Sequence, residues 1–116
     1  MAITLYGIPN CDTVKKARAW LAAQGVDYRF HDFKKDGVPE AALREWVRQL
    51  GWQPLVNRQG TTWRKLEAGE QAAVHDDASA IALMQRQASV IKRPVVEWGT
   101  ATTVGFDAQK WAGLRS

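Results

Sequence analysis

A chain of 116 residues, 46% of them hydrophobic, is long enough to close one compact core without staples, and its single cysteine excludes a disulfide framework. The net charge of +4, from 16 Lys and Arg against 12 Asp and Glu, suits an anionic ligand, yet the basic residues are interspersed with acids and form no dense block of the kind nucleic-acid readers carry. No apolar run approaches the ~20 residues that span a bilayer, and Met1-Ala2-Ile3-Thr4 lacks the basic start and apolar block of a secretory signal, so a cytoplasmic protein that binds neither nucleic acid nor membrane is expected.

The stretch from Ala2 to Tyr6 is short, apolar and bounded by Gly7 and Pro9, which predicts a buried strand. A helix follows, with Val14, Ala17 and Leu21 on one face, Lys15, Lys16 and Arg18 off it, and Gly25 as its stop. Val26, Tyr28 and Phe30 then alternate with Asp27, Arg29 and His31 in the two-residue period of a half-buried strand. Lys34-Lys35-Asp36-Gly37 reads as a turn, and Pro39 is placed for the first position of a helix whose Leu43, Trp46, Val47 and Leu50 form a stripe that Gly51 ends. From Trp52 to Leu66 the pattern is irregular, a loop with at most a short helical piece, and it carries Arg58 and Trp63. Another helix is expected from about Asp76 to Gln87, with Ala78, Ile81, Ala82 and Met84 as its apolar positions and Asp76 or Asp77 as its cap. The tail reads as a β-hairpin, Arg93 to Trp98 and Thr102 to Phe106 around Gly99, after which Asp107 caps a last helix bearing Trp111 and Leu114. Strand, helix, strand, helical block, hairpin and helix make an α/β protein, one domain over 1–116 with an inserted helical block at about 34–90.

Cys11 falls where the first strand breaks at Gly7 and Pro9 and the first helix begins, so its thiol is directed to a helix amino end. Unpaired backbone N–H groups and the positive end of the helix dipole favour the thiolate there, the form that attacks sulfur or arsenic electrophiles. The competing reading is an inert buried cysteine, the ordinary fate of a lone thiol. Position 14 holds Val14, not a second cysteine, so no Cys-x-x-Cys pair can close. An adduct on Cys11 then needs an outside thiol to resolve it, and glutathione is the abundant one.

Four blocks in order, Tyr6-Gly7-Ile8-Pro9-Asn10-Cys11-Asp12-Thr13, Leu55-Val56-Asn57-Arg58 with Thr61-Thr62-Trp63-Arg64-Lys65-Leu66, Ile91-Lys92-Arg93-Pro94-Val95-Val96, and Val104-Gly105-Phe106-Asp107, resemble the arsenate reductase (ArsC) and Spx-like family over essentially the whole chain. The likeness is greatest to its YffB-like branch of glutathione-dependent thiol reductases. The resemblance implies a thioredoxin-like fold, a small mixed sheet with flanking helices. It implies Cys11 as nucleophile, an oxyanion cradle of backbone N–H groups from Asn10 through Asp12 to Thr13, anion-binding arginines at Arg93 and Arg58, and a cis bond before Pro94. It further implies glutathione as co-substrate with no bound cofactor; glutaredoxin is a further candidate to resolve the adduct, and a monomer is expected. Arsenate reductases of this type carry a further arginine where this chain reads Val104-Gly105-Phe106, and Spx regulators commonly carry the Cys-x-x-Cys switch that Val14 removes. A single-cysteine thiol oxidoreductase is therefore the leading expectation, followed by an Spx-like module that binds RNA polymerase, and then by arsenate reduction.

The other candidates are weaker. His31 lies in a strand pattern and His75 in a loop, far apart and with no metal-ligand spacing, so both are read as core or surface residues and no metal site is expected. Lys15 and Lys16 are read as solvated helix charges. Of the six tryptophans, Trp46 and Trp111 sit on apolar stripes and belong to the core, while Trp63 is a candidate lining residue of a cleft.

Overall fold

A computed structural model describes residues 2–114. The elements in chain order are β1 (Thr4–Gly7), α1 (Asp12–Ala23), β2 (Arg29–Asp32), α2 (Phe33–Asp36), α3 (Glu40–Leu50), α4 (Thr61–Arg64), α5 (Ala68–Ala72), α6 (Asp77–Arg86), a 3-10 turn at Ala88–Val90, β3 (Val95–Glu97), β4 (Thr102–Val104) and α7 (Ala108–Leu114). They fall into two compact units, one built from 1–36 and 93–116 and the other from Gly37–Lys92.

The first unit holds the sheet, in the order β2-β1-β3-β4. β1 and β2 run parallel, with Leu5 opposite Phe30, and β1 and β3 run antiparallel, with Leu5 opposite Val96. β3 and β4 form the expected hairpin, whose turn uses Gly99 at φ 108°, a conformation open to glycine at little cost. One face of the sheet buries Leu5 and Val96 against Val14, Ala17 and Leu21 of α1 and Trp111 of α7. Trp111 is the hub, with Trp98 at 5.1 Å, Phe106 at 4.9 Å and Trp20 at 5.8 Å, all edge-on. Edge-on ring pairs add about 0.5–1.5 kcal/mol each beyond the area they bury. The Trp98 indole N–H donates to Thr103 Oγ1 at 2.9 Å, which satisfies its one polar atom inside the core.

The stripe expected on α1 is buried at Val14, Ala17 and Leu21. The strand after it starts later than its alternating pattern, at Arg29 instead of Val26. Residues 24–26 are still closing the helix: Gly25, at φ 69°, donates to Ala22 O and Val26 donates to Leu21 O, the paired bonds of a glycine-terminated helix end. Lys34–Asp36, read as a turn, belong to the short helix α2, opened by the Lys34 N–H on Asp32 Oδ1.

In the second unit, α3 buries Leu43, Trp46 and Val47 and packs against α6. Pro39 is the N-cap of α3, not its first helical residue, because its ψ of 122° is extended. α6 buries Ala80, Ile81, Leu83 and Met84 and leaves Ala78 and Ala82 exposed, so the expected apolar face was turned: alanine contributes too little apolar area to fix an orientation that leucine and methionine contest. Leu55, Val56, Val90 and Ile91 are buried around an antiparallel bridge between Val56 and Ile91. The irregular 52–66 segment contains α4, and α5 arises beyond it, its start held by the Glu67 N–H donating to the Glu70 carboxylate.

Candidate active site

β1 ends at Gly7, the chain turns through Pro9 and Asn10, and Cys11 becomes the N-cap of α1 with extended φ −108° and ψ 125°. The turn is tight because a Cβ on Gly7 would stand 2.8 Å from Val14 Cγ2, closer than real carbon atoms approach. Glycine at position 7 thus lets the first turn of α1 lie directly against the end of β1, which fixes where Cys11 sits.

Cys11 is half-buried and its sulfur is a free thiol packed against the hydrophobic core. No side-chain hydrogen bond of the usual capping kind closes the helix start. Desolvation alone raises the thiol pKa, but the Val14 N–H, the hydrogen bond and positive charge of Arg93, and the Thr13 N–H together outweigh it and hold the thiol below its ordinary value. The helix-start amides follow from the position of Cys11 in the sequence, whereas Arg93, from a distant part of the chain, was an expectation of the family resemblance alone.

Arg93 stands just before the entrance to β3, and its bond to Pro94 is cis. Pro94 is buried, Arg93 is half-buried with its Nε fully so, and the Pro94 carbonyl accepts the Gly105 N–H at 2.8 Å. That bond ties the segment Val104-Gly105-Phe106 to the proline turn. No cation is available from these three residues, and the Phe106 ring is committed to Trp111.

Among the remaining candidates, Asn10 is exposed in the turn, and Asp12 and Thr13 open α1 with exposed side chains, so it is the Thr13 backbone and not its hydroxyl that acts on the sulfur. Arg58 belongs to the Gly37–Lys92 unit, where its guanidinium lies over the Trp52 ring at 5.4 Å. His31 is packed between Tyr6 at 4.9 Å and Phe33 at 6.0 Å, and His75 is exposed with Nδ1 3.7 Å from Asp76 Oδ2. Trp46 and Trp111 are fully buried. Trp63 is half-buried, and its carbonyl accepts from Gln71 Nε2 at 2.9 Å. Sequence reasoning missed the Tyr6 hydroxyl, which donates to Glu97 Oε1 at 3.0 Å across 91 positions of sequence. Burial first, and then the Glu97 carboxylate, push this phenol far above its ordinary pKa and keep it neutral. A polar pair so distant in sequence leaves no local signal, since it follows only from β1 and β3 being neighbours.

Fold and site together define a protein of thioredoxin-like architecture with a single thiol, favoured as thiolate, at the start of its first helix. The model of the ArsC family matches residues 6–114, and the chain belongs to that family. An uncharacterized protein of Haemophilus influenzae is 37% identical over 109 residues, covering 94% of this chain and 95% of its own. Global transcriptional regulator Spx of Streptococcus pyogenes is 24% identical over 90% of this chain and 78% of its own. Among solved structures, a YffB protein superposes with a TM-score of 0.94 at 48% identity, over 99% of this chain and 100% of its own. An arsenate reductase (ArsC) related protein from Brucella melitensis gives 0.76 at 46% identity, over 97% and 93% of the two chains. Among the described residues no helix is long and apolar enough to cross a membrane.

Proposed function

We propose that this protein is a glutathione-dependent thiol oxidoreductase that works through one cysteine. The observation that carries the reading is the Cys11 environment: a lone, half-buried thiol at a helix start, favoured as thiolate by two backbone N–H groups and by Arg93. In the first step the Cys11 thiolate attacks the glutathione sulfur of a mixed disulfide. A Cys11–glutathione disulfide forms, the substrate S–S bond breaks, and the substrate leaves as thiolate and takes a proton. In the second step a glutathione thiolate attacks the glutathionyl sulfur of that adduct, releasing oxidised glutathione and regenerating the Cys11 thiolate. One free glutathione is consumed, its sulfur joining the glutathionyl sulfur that arrived with the substrate to leave as oxidised glutathione, and no second protein cysteine is needed, consistent with Val14 at the resolving position. Glutaredoxin could replace glutathione in the second step by the same chemistry.

The test is mass spectrometry after mixing the protein with oxidised glutathione. A single glutathione adduct on Cys11 that reduced glutathione removes is expected, and no adduct would overturn the reading.

A second reading has its own support in the near full-length likeness to Spx: a regulatory module that binds RNA polymerase, with the thiol incidental. Capture of the polymerase that is equal for wild-type and Cys11→Ser proteins favours this reading over catalysis. Arsenate reduction, suggested by the Brucella relative's description, needs a strong oxyanion clamp, which the uncharged Val104-Gly105-Phe106 segment does not reinforce. Arsenate-dependent glutathione consumption, lost in both Cys11→Ser and Arg93→Ala proteins, is its signature.

A further inference from the structure

Arg18, half-buried on the flank of α1, is fixed by aromatic rings and not by a carboxylate. Its guanidinium carbon stands 4.1 Å from the centroid of the Phe30 ring and 6.0 Å from that of Tyr28, and its Nε donates to the Tyr28 hydroxyl at 2.9 Å. Phe30 belongs to the edge strand β2, Tyr28 just precedes it, and both rings pack against the core on which Cys11 also rests. A cation over an aromatic face gains about 0.5–1 kcal/mol at an exposed site and more where desolvated, enough to restrain a long side chain. The arginines of α3 are held differently, Arg44 by Glu40 and Arg48 by Glu45. Among the described residues no acidic side chain pairs with Arg18, so the N–H groups on its two terminal nitrogens stay open to a ligand.

This cation shares its face of α1 with the thiol. The Lys15 N–H donates to Cys11 O at 2.9 Å, so helical geometry runs from the cap onward, and positions 11, 15 and 18 fall at the i, i+4, i+7 spacing of one stripe. The step from Cys11 to Arg18 advances the helix by about 10 Å. A helical side chain leans back toward the amino end, which brings the guanidinium nearer to the sulfur than that rise. Lys15, exposed and with no acidic partner among the described residues, stands between the two. No acidic residue occurs from Thr13 to Val26, so the stripe presents positive charge along its length.

We propose that Arg18 is the specificity residue for glutathione: its terminal N–H fork takes a carboxylate of the tripeptide whose sulfur meets Cys11, and Lys15 adds a second positive charge between them. The inference rests on the glutathione-dependent reading above and gives a reason why glutathione, and not any small thiol, is the co-substrate. Glutathione carries its sulfur in the middle and a carboxylate at each end. An extended chain covers at most ~3.6 Å per residue, so with the cysteine side chain added a terminal carboxylate lies within about 10 Å of the sulfur, the range of the Cys11-to-Arg18 step. The planar fork suits two oxygens of one carboxylate, and a guanidinium already restrained by two rings loses less conformational freedom on gripping them than a solvated one does.

The test is an NMR titration of the full chain with S-methylglutathione, which keeps both carboxylates and cannot exchange with Cys11, following the Tyr28 and Phe30 amide signals. Saturable shifts are expected. Arg18→Gln is expected to weaken binding about tenfold, Lys15→Gln by a smaller factor, and Arg18→Lys, which keeps the charge and loses the fork, to fall between Arg18→Gln and the wild type. The dimethyl ester of the same tripeptide, which lacks both carboxylate charges, is expected to bind the wild type and Arg18→Gln equally weakly, a result that mere loss of structure at position 18 does not produce. Arg44→Gln, which removes a surface cation on α3, is expected to leave binding unchanged. Shifts that never saturate, an Arg18→Gln protein that binds S-methylglutathione as tightly as the wild type, or an Arg18→Gln loss of the same size for the ester would overturn the proposal. The adduct on Cys11 is read separately. Arg18-dependent binding with no adduct from oxidised glutathione upholds this site and removes the oxidoreductase reading, whereas an adduct without Arg18-dependent binding removes this site and upholds that reading.

Discussion

Two helix starts in this molecule use the same position in opposite ways. At α6 the N-cap is Asp76, whose Oδ1 accepts the Ser79 N–H at 2.9 Å while Ser79 Oγ accepts the Asp76 N–H at 3.1 Å, a reciprocal box that satisfies the exposed amides. At α1 the N-cap is Cys11, with no such bond, and the first amides are left to act on a sulfur. A good oxygen cap contributes roughly 1 kcal/mol, which cysteine forgoes. The difference teaches that a helix's unpaired N–H groups can be neutralised for stability or kept for chemistry, and that this chain keeps one set for the thiol.

Replacing the sulfur breaks the comparison most sharply. Cys11→Ser and Cys11→Asp proteins are expected to lose glutathione adduct formation completely, as seen by mass spectrometry. The aspartate variant, by turning α1 into a second α6, is also expected to be more stable in urea by roughly 0.5–2 kcal/mol. Arg93→Gln comes next: with one source of thiolate stabilisation gone, the alkylation midpoint of Cys11 should move upward in pH and the neutral-pH rate should fall several-fold. Gly7→Ala forces Val14 away and is expected to cost about 1–3 kcal/mol by thermal or urea unfolding, as overpacking does, and to displace the start of α1. Smallest for the thiol, Asp76→Ala should lower the melting temperature through loss of the α6 cap and leave the alkylation profile of Cys11 where it was.

The pH dependence of stability carries the same signature. The folded state lowers the Cys11 pKa, so the thiolate's contribution is fully present above the unfolded value of ~8.5 and fades as pH falls through the lower folded one. The stability of the wild type relative to Cys11→Ser should therefore increase with pH across that window.

What the sequence made legible were features set by local chemistry. The α1 stripe, Gly25 as a helix stop, the β3–β4 hairpin and Cys11 at a helix start each depend on residues within a few positions of one another. Arg93 and its cis bond to Pro94 were expected only from the family resemblance, because nothing near them in sequence requires either. The late start of β2 was hidden because the pattern of Val26, Tyr28 and Phe30 is that of a strand, whereas the bonds closing α1 claim Val26 first. The turned face of α6 was hidden because Ala78 and Ala82 resemble core residues in composition but bury little. The Tyr6–Glu97 bond depends on strand order and has no local trace.

Thiolate formation at Cys11 is the claim on which the functional reading rests, and the rate of iodoacetamide alkylation as a function of pH measures it directly. A rate that reaches half its maximum below the ordinary cysteine value of ~8.5, and that shifts upward in Arg93→Gln, is the predicted result. A midpoint at or above that value, unchanged when Arg93 is replaced, would contradict it.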